Sequence, residues 1–306
     1  GILHTEKSSQ QAICASIFAQ RIACLRTREN KSLTLLMKSE KKFQHKSSYY
    51  NDIALRLMQR LFHVEHLHYG YFEGKLKPEI KNLPAAQEAY MKLLLKQIPS
   101  GVKKIFDVGC GTGEVAAALT KKGYQMTCIA PDPYLVSMTE KKTGGKAVTF
   151  VDLYENIDTE VEHGTFDLIL MSESCQYIKP DPGWINHVRF LKPGGYILVA
   201  DFFKAKPPDE RNPSKSGQPL DDFLRRADEN GFKIVKKQDI TKNVAPTMDI
   251  YQGIILDRIF PVVEAVFEIV ERKAPTIYKI LRYFLSAKIL KLKDKYEKTG
   301  ADLFSE

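Results

Sequence analysis

From residue 103 onward the chain alternates short apolar runs with helical stretches. This pattern constrains the fold more than any single motif. "KKIFDVG" reads as a buried strand ended by glycine, and "EVAAALTKKG" as a helix closed by Gly123. "YQMTCIA", "AVTFVD", "TFDLILMSES" and "GGYILVADFF" follow as strands, separated by the helices "PYLVSMTEKK" and "INHVRFL". "PLDDFLRRADENG" and "FKIVKKQDI" add one more helix and strand. Alternation at this spacing predicts an α/β fold, a doubly wound, mostly parallel Rossmann-like sheet with helices on both faces. Ligands of such sheets sit at the carboxyl ends of the strands, where the strand order reverses.

The first strand runs into "DVGCGTG", placing Gly109, Gly111 and Gly113 at that end. Glycine there permits positive φ and close approach of backbone to a ligand. The spacing lacks the final glycine of G-x-G-x-x-G, because Glu114 follows Gly113, so the dinucleotide fingerprint fails. No G-K-[ST] follows, so a nucleotide phosphate loop fails as well.

Charge and cysteine content narrow the remaining classes. The net charge of +9 is concentrated at the ends. Residues 1–47 hold nine Lys/Arg against three Glu, and residues 271–306 nine against five Asp/Glu, so the middle is close to neutral. A groove that tracks a phosphate backbone needs cations beside its active site, so nucleic acid is disfavoured. Basic ends instead suit solvated tails or contact with an acidic membrane. Five unpatterned cysteines fit a reducing compartment, hence a cytoplasmic placement with peripheral membrane contact left open. His63, His66 and His68 lack the spacing of a zinc-protease helix, and no metal is expected. The oligomeric state is left open.

Four segments are expected. Residues 1–36 are acid-poor, without hydrophobic periodicity, and are set aside as unstructured, transit-like or upstream of Met37. Residues 37–98 form a helical cap, 99–243 the Rossmann-like core, and 244–306 a C-terminal helical lid. In the lid, Leu256, Phe260, Val263, Phe267 and Val270 form one stripe and Ile277, Ile280, Leu281 and Phe284 another, both read as packing faces. Pro261 should start or kink the first of these helices.

"D-V-G-C-G-T-G" resembles the first motif of the class I S-adenosylmethionine-dependent methyltransferases, and the likeness runs through residues 48–245. "YYND…HLHYGYFEG" is similar to the N-terminal segment of the small-molecule group that includes tocopherol, sterol and cyclopropane-fatty-acid enzymes. "LKPGGYILVADFF" and "DITKNVAPT" extend the match. The resemblance implies S-adenosyl-L-methionine as cofactor. It places Asp107, Gly109, Cys110, Gly111 and Gly113 around the donor's amino-acid tail and ribose. Tyr50, Tyr69, Gly70 and Tyr71 would close over the donor, since aromatic faces suit a sulfonium. Asp152 would accept from the adenine amino group with Leu153 on the ring, and Ser172 and Glu173 would face the donor.

Two departures stand out. The acidic residue that holds the ribose is replaced by Ala130, with Asp132 as the substitute two positions on; the "PDPY" around it is read as a loop. The family's last antiparallel strand has no counterpart after residue 293, so either the chain continues or that edge is covered differently. Glu173, His68 and Tyr177 are the candidate general bases. Phe202, Phe203, Met248 and Tyr251 should line an acceptor pocket, which implies an apolar small molecule such as a lipid, isoprenoid, quinone or polyketide. An RNA or protein methyltransferase and a non-catalytic donor- or lipid-binding module are the alternatives.

Overall fold

A computed structural model describes residues 15–16, 20–22, 59–60, 64–204 and 217–296. Seven strands form the central sheet: β1 (Gln20–Ile22), β2 (Lys104–Val108), β3 (Gln125–Ala130), β4 (Val148–Val151), β5 (Phe166–Ser172), β6 (Leu191–Ala200) and β7 (Phe232–Ile234). Their order is β7-β1-β6-β5-β2-β3-β4. The pairs β2–β3, β3–β4, β2–β5 and β5–β6 are parallel. The expected doubly wound sheet is therefore present. Tyr50 and most of the segments 1–36 and 37–63 lie outside the described residues. Within the first of them, β1 pairs antiparallel with both β6 and β7, so a stretch set aside from the fold fills the place between these two strands and leaves β7 at the edge.

Strands buried on both faces need apolar residues at every position, and the side chains sort by parity. In β5, Leu168 and Leu170 enter one core while Ile169 and Met171 enter the other. In β6, Leu198 and Ala200 share the first core, and Ile197 and Val199 the second. Helix α1 (Leu83–Leu95) covers the first face with Leu83, Ala86, Gln87, Tyr90, Met91 and Leu94, a single stripe at gaps of three and one. Helix α2 (Glu114–Lys121) packs close to the sheet through Ala116 and Ala117. Helix α3 (Pro133–Thr143) begins within "PDPY": Asp132 caps it, its Oδ1 accepting from the Tyr134 amide at 2.9 Å, and Pro133 takes the first turn. That tetrapeptide is thus a helix start, not a loop. Helices α4 (Pro180–Phe190) and α5 (Leu220–Glu229) cover the second face, where Trp184 meets Phe223 at 5.1 Å between ring centroids.

The C-terminal region runs through α6 (Thr241–Val244), α7 (Pro246–Gly253), a π-helical turn (Ile254–Ile259), α8 (Phe260–Lys273) and α9 (Pro275–Tyr296). The π turn falls immediately before Pro261, whose missing N–H interrupts the regular ladder. The first apolar stripe of α8 faces inward, with Phe260 buried and Phe267 meeting Tyr278 of α9 at 6.2 Å. The second stripe does not pack. Ile277, Ile280, Leu281 and Phe284 are exposed, because α8 and α9 pack chiefly on each other and on the π turn.

The tightest backbone approach lies at Gly113, the cap of α2, at φ 80°. A Cβ there would lie 2.6 Å from Thr139 Cα, a backbone atom that cannot swing aside. Gly113→Ala should lower the free energy of unfolding by about 1–3 kcal/mol in urea titration.

Candidate active site

The strand order reverses at β2, which has β3 on one side and β5 on the other. The glycine turn sits at its carboxyl end, the place such sheets reserve for ligands. Gly109, Gly111 and Gly113 all have positive φ, at 80°, 53° and 80°. Gly109 and Cys110 donate their amides to Ile129 O at 2.8 and 3.3 Å, tying the turn to β3. A Cβ on Gly109 would lie 2.4 Å from Ser174 Cβ, and the Ser174 hydroxyl donates to Val108 O. The turn is therefore held from both neighbouring strand ends.

Above it lies the segment that precedes α1. Thr112 Oγ1 donates to Glu65 O at 2.9 Å, and Leu67 sits over Gly111. Gly70 presses against α1, where an added Cβ would meet Ala86 Cβ at 2.7 Å. Its amide donates to Thr247 Oγ1 at 3.0 Å, joining this segment to α7. Tyr71 is buried in the first core, its amide bonded to Ala86 O. Tyr69 reaches the site directly: its amide donates to Glu173 Oε1 at 2.8 Å.

Three buried polar atoms around the turn have no partner among the described residues: Asp107 Oδ2, Ser172 Oγ and His68 Nε2. Such atoms are costly to bury unless a ligand or water completes them. Burial raises the Asp107 carboxyl from 3.8 to about 7. His68 donates from Nδ1 to Tyr69 O at 2.8 Å and stacks on Tyr90, which leaves Nε2 as a bare acceptor. Burial, with His66 beside it, lowers the His68 ring to about 3, so the neutral form persists. Orphan acceptors beside a glycine cradle are what the ammonium of a cationic amino-acid ligand requires, so the residues fit the cofactor implied by the motif.

A cavity of about 10 Å³ is lined by Tyr69, Tyr90, Glu173, Asp201 and Phe202, with Ile240 and Val244 from the C-terminal region. That is room for about one water. Glu173 is the one described non-glycine residue with positive φ, at 57°. A strained backbone held by its surroundings is characteristic of functional sites. Burial and the nearby Asp201 push the Glu173 carboxyl well above its ordinary range, against the Tyr69 amide and Tyr90 hydroxyl that favour its charge. Asp201 rises to about 7 through burial, although the Phe202 amide at 2.6 Å and Gln176 N and Nε2 at 3.0 and 3.1 Å donate to it.

Other expected residues fall elsewhere. Phe203 is a correction: one position past Phe202, it turns to the opposite face and packs on Phe223 in the second core, so it does not line the cavity. Met248 packs on the first core and Tyr251 on a third cluster around Leu83 and Ile250, neither lining the cavity. Tyr177 follows Glu173 on a 3-10 turn, but its ring is 74% exposed. Asp152 is exposed after β4, accepting from the Leu153 amide and Asn156 Nδ2, with Leu153 half-buried beside it. Asp132 spends one carboxylate oxygen on capping α3. Asp201, Tyr90 and Gln176 were not anticipated. Asp201 was visible as the acid ending "ILVAD" at a strand's carboxyl end; Tyr90 reads only as one member of a packing stripe.

Residues 81–237 match the family described as a methyltransferase domain, just over half of the 306-residue chain. The chain belongs to this methyltransferase family. Membership bears out the class I resemblance and its cofactor, S-adenosyl-L-methionine. Among curated proteins, the methyltransferase is 24% identical over 203 residues to the O-methyltransferase cnsE of Penicillium expansum, covering 61% of this chain and 72% of that one. It is 27% identical over 102 residues to a ubiquinone biosynthesis O-methyltransferase of Pectobacterium carotovorum, covering 32% and 42%. The match thus spans under half the length of several such relatives. Among solved structures, the [4+2]-cyclase SpnF superposes with a TM-score of 0.57 at 21% identity, covering 70% of this chain and 83% of that one. Geranyl diphosphate C-methyltransferase from Streptomyces coelicolor A3(2), solved with Mg2+, geranyl diphosphate and S-adenosyl-L-homocysteine, gives 0.56 at 17%, covering 68% and 86%. These likenesses show the shared fold.

The buried Asp107 makes a thermodynamic prediction. Its folded pKa lies above the unfolded value, so between pH 3.8 and about 7 the folded chain binds more protons than the unfolded one. Stability should therefore fall as pH rises through that window. Asp107→Asn should flatten part of this slope in urea titrations at stepped pH. Asp201 shares the same sign and window and should supply a further part.

Proposed function

We propose that this methyltransferase transfers a methyl group from S-adenosyl-L-methionine to a small, apolar acceptor of the lipid, isoprenoid, quinone or polyketide kind. The observation that carries the reading is the lining of the cavity: among the described residues, aromatic and aliphatic side chains with two buried carboxyls, and no Lys or Arg. A phosphate-bearing acceptor would find repulsion there and no counter-charge, which weighs against RNA. The cofactor, when bound, supplies a methyl already activated on a sulfonium. The orphan acceptors Asp107, Ser172 and His68 are the groups that would hold it, with the glycine turn beneath.

The remaining chemistry belongs to the chain. Tyr69, Tyr90 and Phe202 exclude water, which strengthens every electrostatic interaction inside. Glu173 is the proposed general base, oriented by the Tyr69 amide and the Tyr90 hydroxyl. Burial, reinforced by the adjacent Asp201, raises its pKa and makes the ionised carboxylate a stronger base. The relative named for ubiquinone biosynthesis is consistent with an acceptor of this class.

The test is incubation with methyl-labelled donor and fractionated extract, scoring organic-phase products one methylene heavier. Label confined to RNA or protein would overturn the small-molecule reading. In Glu173→Gln the Tyr69 contact survives through the amide oxygen, yet kcat should drop roughly 10²- to 10⁴-fold, with binding of S-adenosylhomocysteine retained in calorimetry. The wild-type rate should climb as pH passes through the raised carboxyl pKa, and this limb should vanish in the variant. A wild-type profile in Glu173→Gln would place the base elsewhere.

A further inference from the structure

The pair α8–α9 carries apolar side chains on two faces, and only one of them is covered. Phe260, Val263, Phe267 and Val270 turn inward on α8. Val262, Val266 and Ile269, at gaps of four and three, form a second face that is exposed, Val266 by 54%. On α9 the exposed face holds Ile277, Ile280, Leu281 and Phe284, with Ile280 exposed by 54% and Phe284 by 65%. Exposed apolar side chains scattered singly need no explanation, but seven of them on two adjoining helices do.

The charges are arranged around this surface in a definite way. Glu264, Glu268 and Glu271 fall about half a turn away from Val262, Val266 and Ile269 by helical spacing, so the acids of α8 are segregated from its exposed apolar face. Helix α9 contains six Lys/Arg against a single Asp. Past Phe284, the positions Lys288, Lys291 and Lys295 continue the same three-and-four spacing, so the sequence passes from an apolar to a cationic stretch in one register. Neither helix is long and apolar enough to cross a bilayer.

An exposed apolar face followed in register by lysines is the pattern of a helix that lies in a membrane interface. The apolar side chains enter the boundary of headgroups and acyl chains, while Lys and Arg meet acidic headgroups. We propose that the outer face of α8–α9 docks this methyltransferase on anionic lipid surfaces. The inference draws none of its evidence from the acceptor proposed above. If both hold, docking would place the donor site beside the phase in which an apolar acceptor dissolves.

The experiment is co-sedimentation of the full chain with vesicles of phosphatidylcholine alone, and with vesicles of equal parts phosphatidylcholine and phosphatidylglycerol. Binding should require the anionic lipid and weaken as salt is raised. Phe284→Glu and Val266→Glu, one on each helix, should each lower the partition coefficient on the order of tenfold. Both positions are exposed, so circular dichroism and calorimetry with S-adenosylhomocysteine should be unchanged and will show that each variant is folded. Equal recovery with both kinds of vesicle, or undiminished binding in both variants, would overturn the proposal. So would a wild-type dimer in sedimentation velocity that both glutamates dissociate, since a second copy would then be the occupant of this face. Lipid binding is read without turnover, so its failure leaves the methyl-transfer reading standing, and the converse also holds.

Discussion

The structure depends on the backbone at the carboxyl end of β2. Five residues, Gly109 through Gly113, must leave a buried strand, reverse direction and start a helix. They do so between the Ile129 carbonyl on one side and Ser174 on the other, with Thr139 closing the far end. Positive φ at three positions, and Cβ clearances below 3 Å at two of them, leave glycine as the only residue that fits. The same contacts that forbid side chains there also bring the ends of β3 and β5 against the turn. A ligand cradle and a packing constraint are therefore one feature.

Around this rigid floor the chain buries an unusual amount of acid. Asp107, Glu173 and Asp201 all end or follow strands at the same edge, and burial lifts each above the ordinary carboxylate range. In a purely structural role they would be a liability, since a buried carboxyl without a counter-ion costs stability. A cationic ligand changes the balance, because its charge favours ionisation of the acids that face it. The positive φ of Glu173 and its bond to the Tyr69 amide connect this edge to the segment that lies over it. That segment is in turn joined to α7 through Gly70 and Thr247. The carboxyl ends of β5 and β6, the cover and the C-terminal region thus meet at a cavity that holds about one water.

Much of the fold was legible in advance because its signals are local. Period-two parity in "LILM" and "ILVA", glycine at strand ends and apolar stripes at gaps of three and four follow from backbone geometry alone. The glycine turn, and Glu173 one residue past β5, were likewise readable as positions at a sheet's carboxyl edge. Phe203 shows where local reading stops. Phe202 and Phe203 are the same residue type in adjacent positions, and parity sends one to the cavity and the other to the opposite core. Tyr90 was hidden for a related reason: a tyrosine in a packing stripe has many roles, and only its convergence with Glu173 and Asp201 selects one.

Sequence alone determined the doubly wound sheet and the glycine-lined ligand edge, since both are written in spacing that any compact fold must respect, and its motifs carried the methyltransferase resemblance. Tertiary structure decided which groups meet. It put Glu173, Asp201 and Tyr90 around one small cavity, gave β1 the place next to β6, and left one face of α8–α9 uncovered. Those outcomes depend on contacts between residues far apart in the chain. Such contacts are set by the packing of whole elements, and no local pattern of residues encodes them.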